Sequence, residues 1–128
     1  MAGYTTNTSL PYRKKATLVK LNKNCNLSYG RALNDSLNST YYQIVIDPIN
    51  AWASAGYVET HITVGIKRNK ILVTQNASTG ALIWGFRYIT TGLSKEEAYS
   101  ICFQPAGGVY GVAAKTNYFS GSANIYDI

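Results

Sequence analysis

Six side chains have types and spacing that suit work on a charged ligand: His61, Thr63, Lys67, Lys70, Thr74 and Arg87. The first three share one parity of an alternating stretch. Val58, Thr60, Ile62, Val64 and Ile66 take one side, and Glu59, His61, Thr63, Gly65 and Lys67 take the other. A period of two with one apolar face implies a half-buried antiparallel strand whose second face is wet. Lys70 and Thr74 fall beside that wet face on the following strand, and Arg87 joins them if it points the same way. An imidazole, two hydroxyls and three cations on a sheet face suit phosphate contact with some base contact. An ordinary solvated sheet face is the plain alternative. His61, the only histidine, is also the one histidine candidate for a general base. That supports a second functional class, a small basic ribonuclease-like toxin domain with His61 as acid or base and Lys67 or Arg87 steadying the phosphate.

The rest of a catalytic constellation is missing from the sequence. No Gly-x-Ser-x-Gly is present, and no Ser or Cys stands in a recognisable nucleophile setting. Glu96 and Glu97 are accounted for by a helix cap, and Asp47 by a strand end. Gly107-Gly108 follows a predicted helix, where glycine acts as a stop. Cys25 and Cys102 are far apart and in no ligand spacing, which with one histidine argues against zinc. They read as reduced, partly buried thiols. The expectation is a protein without enzymatic activity, cofactor or metal.

The elements that must position the six residues centre on Tyr57 to Gly92, which reads as a three-stranded meander. Lys67, Arg68, Asn69 and Lys70 form the first expected turn, Ile71 to Gln75 the second strand, and Asn76 to Gly80 the second turn. Ala81 to Thr91 is the third strand, bulky on both parities: Leu82, Trp84, Phe86 and Tyr88 alternate with Ile83, Gly85, Arg87 and Ile89. Upstream, Met1 to Pro11 reads as an extended or mobile arm, and Ala16 to Leu21 and Cys25 to Tyr29 as a hairpin. Tyr41 to Ile46 is a strand ended by Asp47-Pro48, and a short strand is expected around Trp52. Downstream, Ser94-Lys95-Glu96-Glu97 has the pattern of a capping box, with Leu93 as staple and Ala98, Ile101 and Cys102 at helical spacing. Pro105 and Gly107-Gly108 end that helix, and Val109 to Lys115 is a candidate second one. Strands first and helices last give an α+β expectation, an antiparallel sheet followed by one or two C-terminal helices. The domain is single, 1–128, with an arm at 1–12, the sheet region at 13–92, and the helix and tail at 93–128. One short helix cannot cover such a sheet, so the expected solution is a homodimer in which each subunit's helices pack over its partner's sheet.

The chain has 128 residues, 46% hydrophobic and only 14% charged. That is one ordinary core whose polarity comes from Asn, Ser, Thr, Gly and eleven tyrosines. Such a surface suits packing against other proteins. The net charge of +6 favours a polyanionic partner such as nucleic acid. Basic groups cluster at Arg13, Lys14 and Lys15 and again at Lys67, Arg68 and Lys70. No apolar run is long enough for a bilayer span and no signal peptide is apparent, so no membrane partner is expected.

In size, element order and two local patterns, the chain resembles the coat proteins of single-stranded RNA bacteriophages, the leviviruses. Thr60-His61-Ile62-Thr63-Val64-Gly65-Ile66-Lys67-Arg68 is similar to that family's RNA-facing strand, with Thr63 in the place of a base-contacting threonine and Gly65 in that of a serine. Arg68-Asn69-Lys70 resembles the basic turn that follows, and Lys70 and Thr74 then take the RNA-facing parity. Phe86 to Ala98 resembles the last strand and the capped first helix. Asn76 to Gly80 is shorter than the family's excursion at that point, and Gly107, Gly108 and Gly111 stand where a second helix belongs. The resemblance implies a capsid subunit that dimerises, forms an icosahedral shell and packages single-stranded genomic RNA. It also implies translational repression through one RNA hairpin, and residence in a virion assembled in a bacterial host's cytoplasm.

Overall fold

The computed structural model describes residues 1–6, 13–33, 37–88 and 93–117. The far end of the third meander strand, part of the N-terminal arm and the tail beyond Asn117 lie outside them. Among the described residues nine strands follow in chain order: β1 (Ala2–Thr6), β2 (Lys14–Leu21), β3 (Leu27–Ala32), β4 (Ser39–Ile46), β5 (Trp52–Thr63), β6 (Ile66–Asn76), β7 (Leu82–Tyr88), β8 (Glu96–Gln104) and β9 (Val109–Thr116). They form three antiparallel sheets, β1-β2-β3, β4-β5-β6-β7 and β8-β9. Among the described residues there is no helix, and so none that could cross a membrane.

The α+β expectation is therefore corrected to all-β, and the exchange of C-terminal helices between subunits falls with it. The segment read as capped helices is the β8–β9 hairpin, turning through Pro105 to Gly108, with Gly108 at φ 62°. Two local reasons account for this. The residues after Glu96 are rich in aromatic and β-branched types, which pack well on a pleated surface. The Ser94 hydroxyl, expected to cap backbone N–H groups, instead donates to Glu96 Oε1 at 2.9 Å and accepts from the Lys70 ammonium at 3.0 Å.

The central four-stranded sheet is covered on both faces. On one side Val58 and Leu72 pack with Tyr41 and with Ala16 and Leu18 of β2. On the other, Ala53, Ala55 and Val73 pack with Ala98 and Ile101 of β8. Adjacent residues of β5 and β6 thus feed opposite cores, which explains why Trp52 to Gly56 is buried throughout rather than alternating. Gly56 is required by a close approach: a Cβ there would lie 1.9 Å from the Thr40 carbonyl oxygen. The short strand expected around Trp52 is the first half of a continuous β5. The expected N-terminal arm begins as strand β1, registered on β2 from Ala2–Leu18 to Thr6–Lys14.

The first turn of the meander is displaced. β5 and β6 pair Thr63 with Ile66, so the loop is Val64-Gly65, with Gly65 at φ 79° and Val64 fully exposed. Glycine reaches that region without steric cost. Lys67 to Lys70, expected as the turn, are β6 residues.

At the opposite end Asp47 closes the β4–β5 connection. Its Oδ1 accepts the backbone N–H groups of Ile49 and Ala51, and its Oδ2 accepts Gln75 Nε2 and the Tyr110 hydroxyl, tying β4, β6 and β9 together. Burial disfavours the charged carboxylate, but these donors outweigh it and hold Asp47 below the ordinary carboxylate range. Burial, and then the same carboxylate, raise the Tyr110 hydroxyl to about 12.

Candidate nucleic-acid interface and open sheet edge

His61 and Lys67 are cross-strand partners near the tip of the β5–β6 hairpin, both exposed and on one face of the sheet. The His61 side chain makes no hydrogen bond or ion pair among the described residues. Beside them Arg68 bends back, its Nε donating to Leu93 O at 2.9 Å and its Nη1 to Lys67 O at 2.8 Å. Thr63 is exposed, but a bulge between His61 and Thr63 registers it with Ile66, the opposite parity from Lys67.

The other three expected residues do not join this face. Lys70 is 0% exposed: it is paired with Val58, and its ammonium donates to Ser94 O at 2.9 Å and Ser94 Oγ at 3.0 Å. Glu96 Oε2 lies 3.5 Å away, completing a buried ion pair. Thr74 is also buried and donates its hydroxyl proton to the Tyr41 oxygen at 2.9 Å. Arg87 is exposed on β7, but its partner Leu72 belongs to the opposite core from the face of Lys67. The cause is the turn position. Moving the loop to Val64-Gly65 changes which β6 residues face water, because a strand's side chains alternate with a period of two. His61 and Lys67 are brought together; Thr63, Lys70, Thr74 and Arg87 are not.

The structure adds residues to that face. Tyr57 shares the β5 parity of Glu59 and His61, and its ring centroid lies 5.9 Å from that of Tyr42 on β4. Tyr42 stacks on Tyr99 of β8, with centroids 4.9 Å apart and planes within 5°. The Lys115 ammonium sits 5.1 Å over the Tyr99 ring. Glu97 is held by Asn69 Nδ2 and accepts the Tyr99 hydroxyl. Burial and the neighbouring Glu97 carboxylate push both Tyr42 and Tyr99 above the ordinary phenol range, with Lys115 partly offsetting this at Tyr99. Glu59 is held by Asn38, whose side-chain amide donates to Glu59 Oε2 at 2.9 Å. The abundance of tyrosine was the only sequence signal for this group.

β7 is the other unusual surface. Among the described residues it pairs with β6 on one side and forms the edge of the central sheet on the other. All seven of its residues are exposed, Leu82, Ile83, Trp84, Phe86 and Tyr88 among them. An apolar edge strand offers both unpaired backbone groups and hydrophobic surface to another chain. The expected partly buried thiols are corrected too, since Cys25 and Cys102 are both exposed. Among the described residues no group of three or more His, Cys, Asp and Glu side chains is placed to hold a metal ion. No family model matches the chain, and no curated protein matches it in sequence.

Proposed function

We propose that this chain is a structural subunit that associates with copies of itself into an icosahedral shell around single-stranded RNA, as its resemblance to the levivirus coat proteins implies. The observation that carries the reading is β7, an open sheet edge whose every residue is exposed and five of whose seven are large and apolar. A second copy is its natural occupant, because the strand is complementary to itself. Antiparallel pairing about Gly85 sets Trp84 opposite Phe86 of the partner subunit, and joins two four-stranded sheets into one of eight. Aromatic cross-strand pairs of this kind stabilise by about 0.2–1 kcal/mol each beyond the backbone ladder. Strand pairing takes over the dimer contact once assigned to exchanged helices.

RNA belongs to this reading through the net charge of +6 and through His61 and Lys67 at the hairpin tip. Recognition of one RNA hairpin with translational repression, the second role the resemblance implies, would rest on that pair, because Lys70 and Thr74 are buried. The test is size-exclusion chromatography of recombinant protein with absorbance at 260 and 280 nm, followed by negative-stain microscopy. Uniform round particles rich in nucleic acid are expected. A nucleic-acid-free monomer at micromolar concentration would defeat the proposal.

A further inference from the structure

Two of the bulges in these sheets have the same outcome. The β4–β5 register shifts between Tyr41 and Gln43, leaving Tyr42 as the extra residue. The β8–β9 register shifts between Ala98 and Ser100, leaving Tyr99 as the extra residue. A bulge interrupts the ladder and re-aims the side chain at the inserted position. Here strands from two different sheets each give up regular pairing to turn out a tyrosine, and the two rings meet in a near-parallel stack. Each of these residues remains 42% exposed. The stack is also braced: Asn69 holds Glu97, Glu97 accepts the Tyr99 hydroxyl, and Lys115 lies over the Tyr99 ring.

We infer that Tyr42, Tyr99 and Tyr57, with Lys115, His61 and Lys67, form a track for single-stranded nucleic acid, bases stacking on the tyrosines and phosphates following the cations. This rests on the RNA reading above and adds the residues of contact and their mode of contact. The register makes the track continuous. Tyr57, Glu59 and His61 share one parity of β5, and Ile71, Asn69 and Lys67 lie opposite them on β6. At about 3.3 Å per residue, Tyr57 and His61 are roughly 13 Å apart, the reach of a few nucleotides. The two acids on the face are both engaged by side-chain amides, Glu59 by Asn38 and Glu97 by Asn69. Lys115 marks a place for a base: a ring that takes the position of the ammonium over Tyr99 continues the stack, with the cation beside the adjoining phosphate. A duplex cannot use the site, because its bases are already stacked on one another and only splayed bases reach aromatic side chains.

The test is fluorescence anisotropy of the full chain with three labelled probes: a ten-nucleotide oligo(U) RNA, an abasic strand of the same length, and a ten-base-pair RNA duplex. The expected result is binding of oligo(U) about tenfold or more tighter than of the other two. Tyr42→Ala and Tyr99→Ala should each lose about tenfold in oligo(U) affinity with the salt slope unchanged, and Tyr42→Phe should stay near wild type. Lys67→Ala should lower the salt slope by about one. If an alanine variant fails to fold, Tyr42→Leu and Tyr99→Leu keep bulk without an aromatic face, and the same loss is expected. Leucine or folded alanine variants that bind oligo(U) like wild type overturn the track, as does an abasic strand that binds equally well. Loss at Lys67→Ala alone would remove the track and leave the RNA reading standing. No effect from any of the three substitutions would remove both.

Discussion

Lys70 shows how completely one position can change its meaning between a strand pattern and a packed sheet. Its parity suggested an RNA contact, yet it is a buried ammonium that ties Ser94 and Glu96, at the entry to β8, to the middle of β6. Truncating one member of a buried ion pair strands the other, at a cost of about 3–5 kcal/mol, whereas replacing both with apolar groups of similar volume is often neutral. Lys70→Ala should therefore lower the unfolding free energy by about that amount in urea titration. The double variant Lys70→Met with Glu96→Leu should recover most of it. A full-stability Lys70→Ala protein with weakened RNA binding would return the residue to the surface role. Asp47 makes a different prediction at the same scale. Its folded-state carboxyl lies below the ordinary range, so its contribution is complete above the unfolded value near 3.9 and is lost as pH falls through the folded value. Asp47→Asn removes the acceptor for Gln75 and Tyr110 and should cost about 1–3 kcal/mol at neutral pH. The gap to wild type should close on acidification below pH 4. Thermal unfolding followed at several pH values measures both, and a gap that widens with acid would show the sign to be wrong.

At the scale of the elements, the strands were legible where β-branched and aromatic residues alternate, as in Tyr41 to Ile46 and Val58 to His61. Register was not. Polarity pointed to Lys67 to Lys70 as the turn, but a two-residue hairpin loop is selected by backbone conformation, and the Val64-Gly65 loop, with Gly65 at φ 79°, starts three residues before the charges do. The slip exchanged wet and buried positions along β6 and took Lys70 and Thr74 out of the candidate site. Ser94-x-x-Glu97 was misread for a related reason. A capping pattern identifies groups able to satisfy backbone donors, and says nothing of a buried lysine that offers Ser94 and Glu96 stronger partners. Tyr42 and Tyr99 were out of reach because a bulge is a property of two paired strands together. The two glycines of the β5 region separate the constraints that such patterns hide. Gly65 has nothing within 4 Å of a would-be Cβ, so Gly65→Ala should cost only the torsional penalty, about 1–2 kcal/mol. Gly56→Ala must move the β4 backbone at Thr40 and should cost at least about 3 kcal/mol or prevent folding. Urea midpoints in the reverse order would contradict the register.

For the whole molecule, the question is what covers β7. Both faces of the central sheet already have partners, β1-β2-β3 on one and β8-β9 on the other. The remaining liability is lateral. Proteins with exposed edges commonly blunt them with charges, prolines or a short strand, whereas β7 offers one arginine among seven residues and large apolar groups on both parities. If a second copy pairs there about Gly85, the two Gly85 Cα atoms face each other across a twofold axis, about 4.5–5.5 Å apart. That separation suits a disulfide, which wants Cα atoms about 4.4–6.8 Å apart. A side chain is tolerated at this position, since a Cβ at Gly85 would meet only Thr74 Cγ2, at the ordinary distance of 3.6 Å. With Cys25 and Cys102 changed to serine, Gly85→Cys should give a covalent dimer under mild oxidation, and particles should still form. Placed one residue away in the same background, Trp84→Cys should cross-link much less, because its antiparallel partner is position 86 and not itself. Phe86→Arg removes the ring that faces Trp84 of the partner subunit and brings the two introduced cations to diagonal positions across the axis, and should leave a folded monomer with an unchanged far-ultraviolet spectrum. Efficient cross-linking through Trp84→Cys but not Gly85→Cys would move the axis. A Phe86→Arg protein that assembles like wild type would show that β7 is not the edge along which the copies meet.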